Sequence, residues 1–304
     1  MQSNFMQSQA SGYLIAIVQA ICYAGMGVIS KYLYNTGLNP EQVTGIRYFG
    51  AVIIVAIMLL ATKQRPFLSK RPVVYVQALF FVSSAYLYLV SVDMLTAGLA
   101  TVIFYSFPAV VTILSVFVLH EPLTLRAVIA LVLAMAGIVL ISGVISPDTI
   151  QLSPLGILLA IVSCVAFAIY TVIGQKTVKS DGQLTLTFTM CAMGAVSTLV
   201  IFPAEMPALL SMTPEQWAWS AAISFFCTVL PVLLLLAAIK RIGATKSALI
   251  STSETPFSLL FAFLLLGETL TWMQAVGTVL VVASIVVTTV PSRKKPSENE
   301  KLSE

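Results

Sequence analysis

Long apolar runs alternate along the chain with short breaks marked by polar residues, proline or glycine. The runs cover Gly12–Tyr34, Glu41–Thr62, Pro72–Asp93, Ala97–Leu119 and Thr124–Val144, then, after a polar break, Pro154–Gln175, Gly182–Ala204, Pro214–Ile239, Gly243–Leu266 and Thr271–Val290. Each is close to the roughly 20 residues that a helix needs to cross bilayer hydrocarbon. None carries the charged stripe at helical spacing that marks a half-buried helix of a soluble domain. The pattern predicts an all-α membrane protein of ten transmembrane helices. Short connections force consecutive helices to lie antiparallel and in contact.

Composition closes off the other classes. Of 304 residues, 59% are hydrophobic and 9% charged, with a mean hydropathy of +0.99, whereas a soluble domain has about a quarter charged. The helices leave no length for a soluble catalytic domain. Cys22, Cys164, Cys191 and Cys227 all fall inside apolar runs with no C-x-x-C pair, so they read as small buried hydrophobes. The opening MQSNFMQSQAS has no cationic region or small-residue cleavage site, which predicts that the first apolar run is a retained helix.

The placement of charge predicts orientation. Lys63, Arg65, Lys70, Arg71, Arg126, Lys176, Lys179, Lys240, Arg241, Lys246, Arg293, Lys294, Lys295 and Lys301 all fall on one side of a ten-span topology, and only Lys31 and Arg47 lie toward the other. The excess of Lys and Arg on cytoplasmic loops puts both termini in the cytoplasm and the chain in a cell inner (plasma) membrane. The segment 292–304 reads as a polar cytoplasmic tail.

The chain also repeats itself. A shift of 144 carries Gly12, Leu14, Ala16 and Ile17 onto Gly156, Leu158, Ala160 and Ile161, and Gly50-Ala51-Val52 onto Gly194-Ala195-Val196. A shift of 147 carries Ala97 onto Ala244, and Glu121-Pro122-Leu123-Thr124 onto Glu268-Thr269-Leu270-Thr271. Residues 12–144 and 154–290 are therefore two five-helix repeats. With an odd number of helices each, they enter the membrane from opposite sides. Such inverted repeats characterise secondary transporters, whose halves exchange conformations around a midplane site.

Two proline-broken helices, Pro108 to Thr124 and Pro256 to Thr271, each running into E-x-L-T, together with ten spans and Arg47 in the second, resemble the EamA-type members of the drug/metabolite transporter superfamily. The resemblance covers residues 12–290. It implies two inverted five-helix repeats around a central cavity lined by spans one, three, four, six, eight and nine. It also implies export of amino acids and other small metabolites. Pro256 stands one residue nearer its glutamate than Pro108 does, so the break in span nine is expected to be aimed differently.

Glu254 is the residue that most demands explanation. It sits mid-span in the run Ser251-Thr252-Ser253-Glu254-Thr255-Pro256, where a carboxyl is costly and must face the protein interior. Desolvation there disfavours the charged form, which suits proton binding and release; a neutral carboxyl bonded to a neighbouring helix is the other reading. The equivalent position in the first repeat is Phe107, so the fold itself does not require an acid. Pro256 cannot donate to the helical ladder, leaving a carbonyl near Thr252 for a ligand or for a neighbouring hydroxyl.

Arg47 is a candidate for an anionic substrate group, and equally for snorkelling or a fixed ion pair. Tyr23, Tyr86, Tyr105 and Tyr170 lie away from the interfacial belts, each hydroxyl needing a partner; they suit a cavity that stacks on an amphipathic or cationic solute, or core packing. Ser251 completes the candidate substrate-binding set with Glu254. Glu121 and Glu268 recur immediately before a helix start, where the helix dipole favours an acid, and so read as structural. His120 has no special role, and Lys246 reads as an interface anchor.

The chain lacks a G-x-x-x-x-G-K-[ST] phosphate loop, H-E-x-x-H and G-x-S-x-G, and one histidine cannot build a metal centre. The sequence therefore predicts no enzyme, no cofactor, no metal and no nucleic-acid partner. Its partners are a small-molecule substrate, the lipid bilayer and protons. The reading is a secondary active transporter exporting an amino acid or related amine by alternating access. The competing readings are an uncoupled facilitator of a neutral or lipid-linked solute, and a non-transporting membrane sensor or assembly partner. The oligomeric state has no signature in the sequence.

Overall fold

A computed structural model of the chain describes residues 2–64, 68–95, 97–144, 153–267 and 269–290. Arg65, Glu268 and the tail at 292–304 lie outside the described residues. The helices of the first repeat are α1 (Gln2–Asn35), α2 (Pro40–Ala61), α3 (Pro72–Met94), α4 (Ala97–Phe104), α5 (Phe107–Leu119) and α6 (Leu125–Ile141). Those of the second are α7 (Pro154–Thr177), α8 (Gln183–Ile201), α9 (Pro214–Ser224), α10 (Leu230–Ile242), α11 (Ala244–Ser251), α12 (Glu254–Leu266) and α13 (Trp272–Thr289). No strand occurs among the described residues.

The helix starts follow from local chemistry. Proline opens α2, α3, α7 and α9, at a position where its missing amide donor costs nothing. Asn39, Thr213 and Thr271 each build a reciprocal capping box with the glutamine three residues on, Gln42, Gln216 and Gln274. Among the described residues, nine segments are long and apolar enough to span a membrane. The tenth, α6, has 17 residues, about 26 Å of helix.

Spans four and nine are each two helices, α4–α5 and α11–α12, and their joints are equivalent. Under the shift of 147, Tyr105 and Ser106 fall on Thr252 and Ser253. Ser106 Oγ donates to the Ile103 carbonyl at 2.6 Å, and Ser253 Oγ to the Ile250 carbonyl at 2.7 Å. The displaced proline does not displace the break. The second helices also end alike, with His120 (φ 56°) and Gly267 (φ 69°) in the left-handed conformation that closes a helix C-terminus. Span eight runs α9 to α10 through a π-helical turn, Phe225–Val229.

Packing obeys the exchange of the two repeats. α3 lies on α7 as α1 lies on α10, and α5 on α7 as α12 on α1; α2 pairs with its own counterpart α8, and α6 with α13. The α6–α13 contact is close because two glycines face each other. A Cβ on Gly137 would stand 2.6 Å from the Gly277 carbonyl oxygen, and the reverse distance is the same, the small-residue packing that draws membrane helices together. This pair sits to one side of the bundle, away from the cavity.

Candidate functional site

A cavity of about 450 Å³ lies between the repeats. Its wall is drawn from α1, α2, α3, α4, α7, α12 and the span containing α9 and α10. The spans that the family resemblance implies are all present except for one addition: α2 contributes Val43, Thr44, Arg47 and Tyr48. The lining runs from Glu254, Tyr105 and Phe167 at depth to Ser30, Tyr34 and Thr44 beside the α1–α2 connection. Among the described residues none before Tyr23 lines it, so the lining is displaced toward the α1–α2 end of the molecule.

The floor is aromatic. Phe104 and Phe167 line it, 5.5 Å apart between ring centroids, and Phe107 backs them from the core at 5.9 and 4.8 Å. Beside this cluster, Glu254, the first residue of α12, and Tyr105 line the same cavity. The equivalent joints thus bring together the first residue of one second-half helix and the hinge residue of the other span. The carbonyl that Pro256 cannot reach is not left for a ligand: Thr252 O accepts the Thr255 amide at 3.2 Å. The Thr252 and Ser253 hydroxyls fold back on the Leu249 and Ile250 carbonyls, while Thr255 Oγ1, in the cavity lining, has no hydrogen-bond partner among the described residues.

Arg47 forms no ion pair with an acid among the described residues. Its Nη1 donates to the Met26 thioether at 2.8 Å, its guanidinium lies over the Tyr48 ring, and its buried Nε has no hydrogen-bond partner. Sulfur is a weak acceptor, so a cation at the cavity wall is left with poor compensation. Of the readings open in the sequence, the fixed ion pair is removed.

Tyr23 and Tyr86 line the cavity with Tyr105. The Tyr86 hydroxyl is 2.7 Å from Thr198 Oγ1. Tyr170 and Ser251 are corrections to the candidate set, because neither reaches the cavity. Tyr170 is fully buried behind the wall against Phe81 and Phe167. Ser251 faces α1, donating to Gln19 Oε1 at 2.9 Å, since the joint turns α11 away from the cavity before α12 begins. Sequence reasoning missed Tyr48, Tyr88, Phe104, Phe167, Thr101 and Thr228. At helical spacing Phe81, Ser84, Ala85, Tyr88 and Leu89 form one face of span three, a face that a reading started from Tyr86 does not follow; no sequence signal separates Phe104 or Phe167 from core phenylalanines.

Among the described residues, no group of three His, Cys, Asp or Glu side chains is placed to hold a metal. The EamA-like transporter family matches the chain twice, over residues 10–143 and 154–290. The chain belongs to this family. It is similar to an uncharacterized transporter of Archaeoglobus fulgidus, 24% identical over 86% of this chain and 91% of the relative. It is also similar to an S-adenosylmethionine uptake transporter of Rickettsia bellii, 25% identical over 84% of each. A crystal structure 16% identical shares the fold with a TM-score of 0.80, covering 92% of this chain and 97% of its own. The protein is a multi-pass membrane transporter, and its relatives are transporters rather than enzymes.

Proposed function

We propose that the transporter carries a small zwitterionic amine, an amino acid or a molecule built on one, by alternating access of the central cavity. The observation that supports this most is the separation of one acid and one base in a single aromatic-walled space. Glu254, beside Tyr105 in the cavity lining, offers a site for an ammonium or other cationic group. Arg47, backed only by a thioether and a ring, offers one for a carboxylate. Tyr23 lines the same cavity as both and offers its ring to a solute that spans them. S-adenosylmethionine, for which relatives are named, carries an ammonium, a carboxylate, a sulfonium and an aromatic base, and fits the same description.

A proton and a cationic group would compete for Glu254, and a ligand shifts the balance of inward and outward states only through unequal affinity for them. With both termini in the cytoplasm, exchange of an external proton for an internal solute at this carboxyl gives export. The test is flux in proteoliposomes with and without an imposed pH gradient. Wild-type flux should follow the gradient, and Glu254→Gln should lose that dependence. A gradient-independent wild type would leave uncoupled facilitation; a gradient response retained by Glu254→Gln would move coupling to another group.

A further inference from the structure

Beneath the phenylalanine floor, at the end of the molecule that holds the start of α1, three helix ends meet. They are the C-terminus of α5, the C-terminus of α7 and the N-terminus of α11. Glu121 Oε1 accepts from Gln175 Nε2 at 2.7 Å, and Glu121 Oε2 accepts from Thr245 Oγ1 at 3.1 Å. Gln175 Oε1 in turn accepts the Ala244 amide at 2.5 Å. Ala244 and Thr245 open α11, whose first amides have no partner within the helix.

The nearby α6 does not use this acid. Thr124 Oγ1 caps α6 by accepting the Ala127 amide at 3.2 Å. The sequence expectation that Glu121 serves the helix it precedes is therefore corrected: it ties together spans four, six and nine. The left-handed residue His120 turns the chain so that Glu121 points across the bundle rather than along it.

Between this knot and the cavity floor lies one small-residue layer containing Val111, Ala168, Val172, Ala244 and Ala248. Two hydroxyls on the facing helices, Ser115 on α5 and Ser247 on α11, are buried with no hydrogen-bond partner among the described residues. Other buried hydroxyls, Ser220 and Ser284 among them, are also unpartnered, but these two lie on helices α5 and α11, which pack against each other. They make sense on surfaces that become wet when α5 and α11 part. Gly243, with φ 84°, sits at the start of α11 where such a movement would pivot.

We infer that Glu121 and Gln175 form the latch of a gate on this face, as positioning residues for transport, with the Ala244–Thr245 start of α11 as the part they hold. The inference rests on alternating access as proposed above, and goes beyond it by assigning the closure to particular side chains. Latched, the cavity communicates only toward the α1–α2 end. Released, α11 swings from α5 and the Ser115–Ser247 seam becomes a path to the opposite side.

The test reads access rather than transport. In a protein whose four native cysteines are replaced by alanine, Ser247→Cys is exposed in oriented vesicles to a membrane-impermeant maleimide on the face that carries the start of α1. Labelling should be slow with the latch intact. Glu121→Ala and, separately, Gln175→Glu, which sets two carboxylates against each other, should each speed it about tenfold or more.

The double exchange Glu121→Gln with Gln175→Glu should restore slow labelling. The amide introduced at 121 can donate to the carboxylate at 175 and accept from Thr245, while that carboxylate still accepts the Ala244 amide. Unchanged labelling in both single variants overturns the latch. Faster labelling that the double exchange does not reverse also overturns it, since that is the mark of general loosening. Because neither Glu254 nor any solute enters the measurement, its failure is separable from failure of the proposed transport chemistry.

Discussion

The guanidinium carbon of Arg47 stands 4.8 Å from the centroid of the Tyr48 ring. The two are sequence neighbours, yet the ring acts as a platform for the cation. A cation over an aromatic face gains about 0.5–2 kcal/mol depending on desolvation, less than a paired carboxylate would supply. The arginine is therefore held at the wall with less compensation than an ion pair would give it.

Removing that charge should change selectivity more than stability. Arg47→Met should raise KM for a zwitterionic substrate about tenfold or more, the scale of a hydrogen bond to a charged group. It should leave an amine lacking the carboxylate within about threefold. Competition assays with such a pair check this, and equal losses for both would place Arg47 outside the solute's reach.

The platform itself can be moved without touching either residue. A Cβ on Gly194 would lie 2.5–2.7 Å from three atoms of the Tyr48 ring. Gly194→Ala should therefore displace the ring and cost about 1–3 kcal/mol of stability by overpacking. It should also raise KM several-fold in the same direction as Arg47→Met. Melting temperature and KM measured together distinguish this from damage confined to α8.

The α6–α13 pair offers a control remote from the cavity. Gly137→Leu would drive a side chain into the Gly277 carbonyl and the Val281 side chain. It is expected to lower the detergent melting temperature, with an overpacking cost of about 1–3 kcal/mol or more. The turnover of the protein that remains folded should stay within about twofold of wild type. A large change in turnover at unchanged stability would show that this pair moves during transport.

His120 is the simplest case. It occupies a left-handed position that its repeat counterpart fills with Gly267, and a non-glycine residue there costs about 1 kcal/mol. His120→Gly should be neutral or stabilising by up to about that amount and should preserve transport. Loss of transport at unchanged stability would give the imidazole a role that its surroundings do not suggest.

The sequence was most legible where the bilayer itself constrains it. Helix number, the two repeats and the boundaries at Pro72, Leu119, Pro154 and Leu266 follow from apolar length and punctuation, because a membrane leaves backbone few other solutions. Glu254 and Arg47 stood out because charge is rare there. Side-chain aim was less legible. Tyr170 and Ser251 share the composition of a lining residue but face neighbouring helices, an outcome set by small rotations at the joints and by packing across the repeats. Glu121 was placed correctly beside a helix start, but on the wrong helix, since its partners Gln175 and Thr245 are distant in sequence.

The joints of spans four and nine separate what the duplication keeps from what it lets vary. Ser106 and Ser253 close the backbone in the same way, although the next residue is a phenylalanine in one repeat and a glutamate in the other. Glu254 lines the cavity, whereas Phe107 is buried in the aromatic cluster behind it. The duplicated backbone thus keeps one geometry whether an acid or a ring follows it, and the two copies differ in what they expose rather than in how they turn.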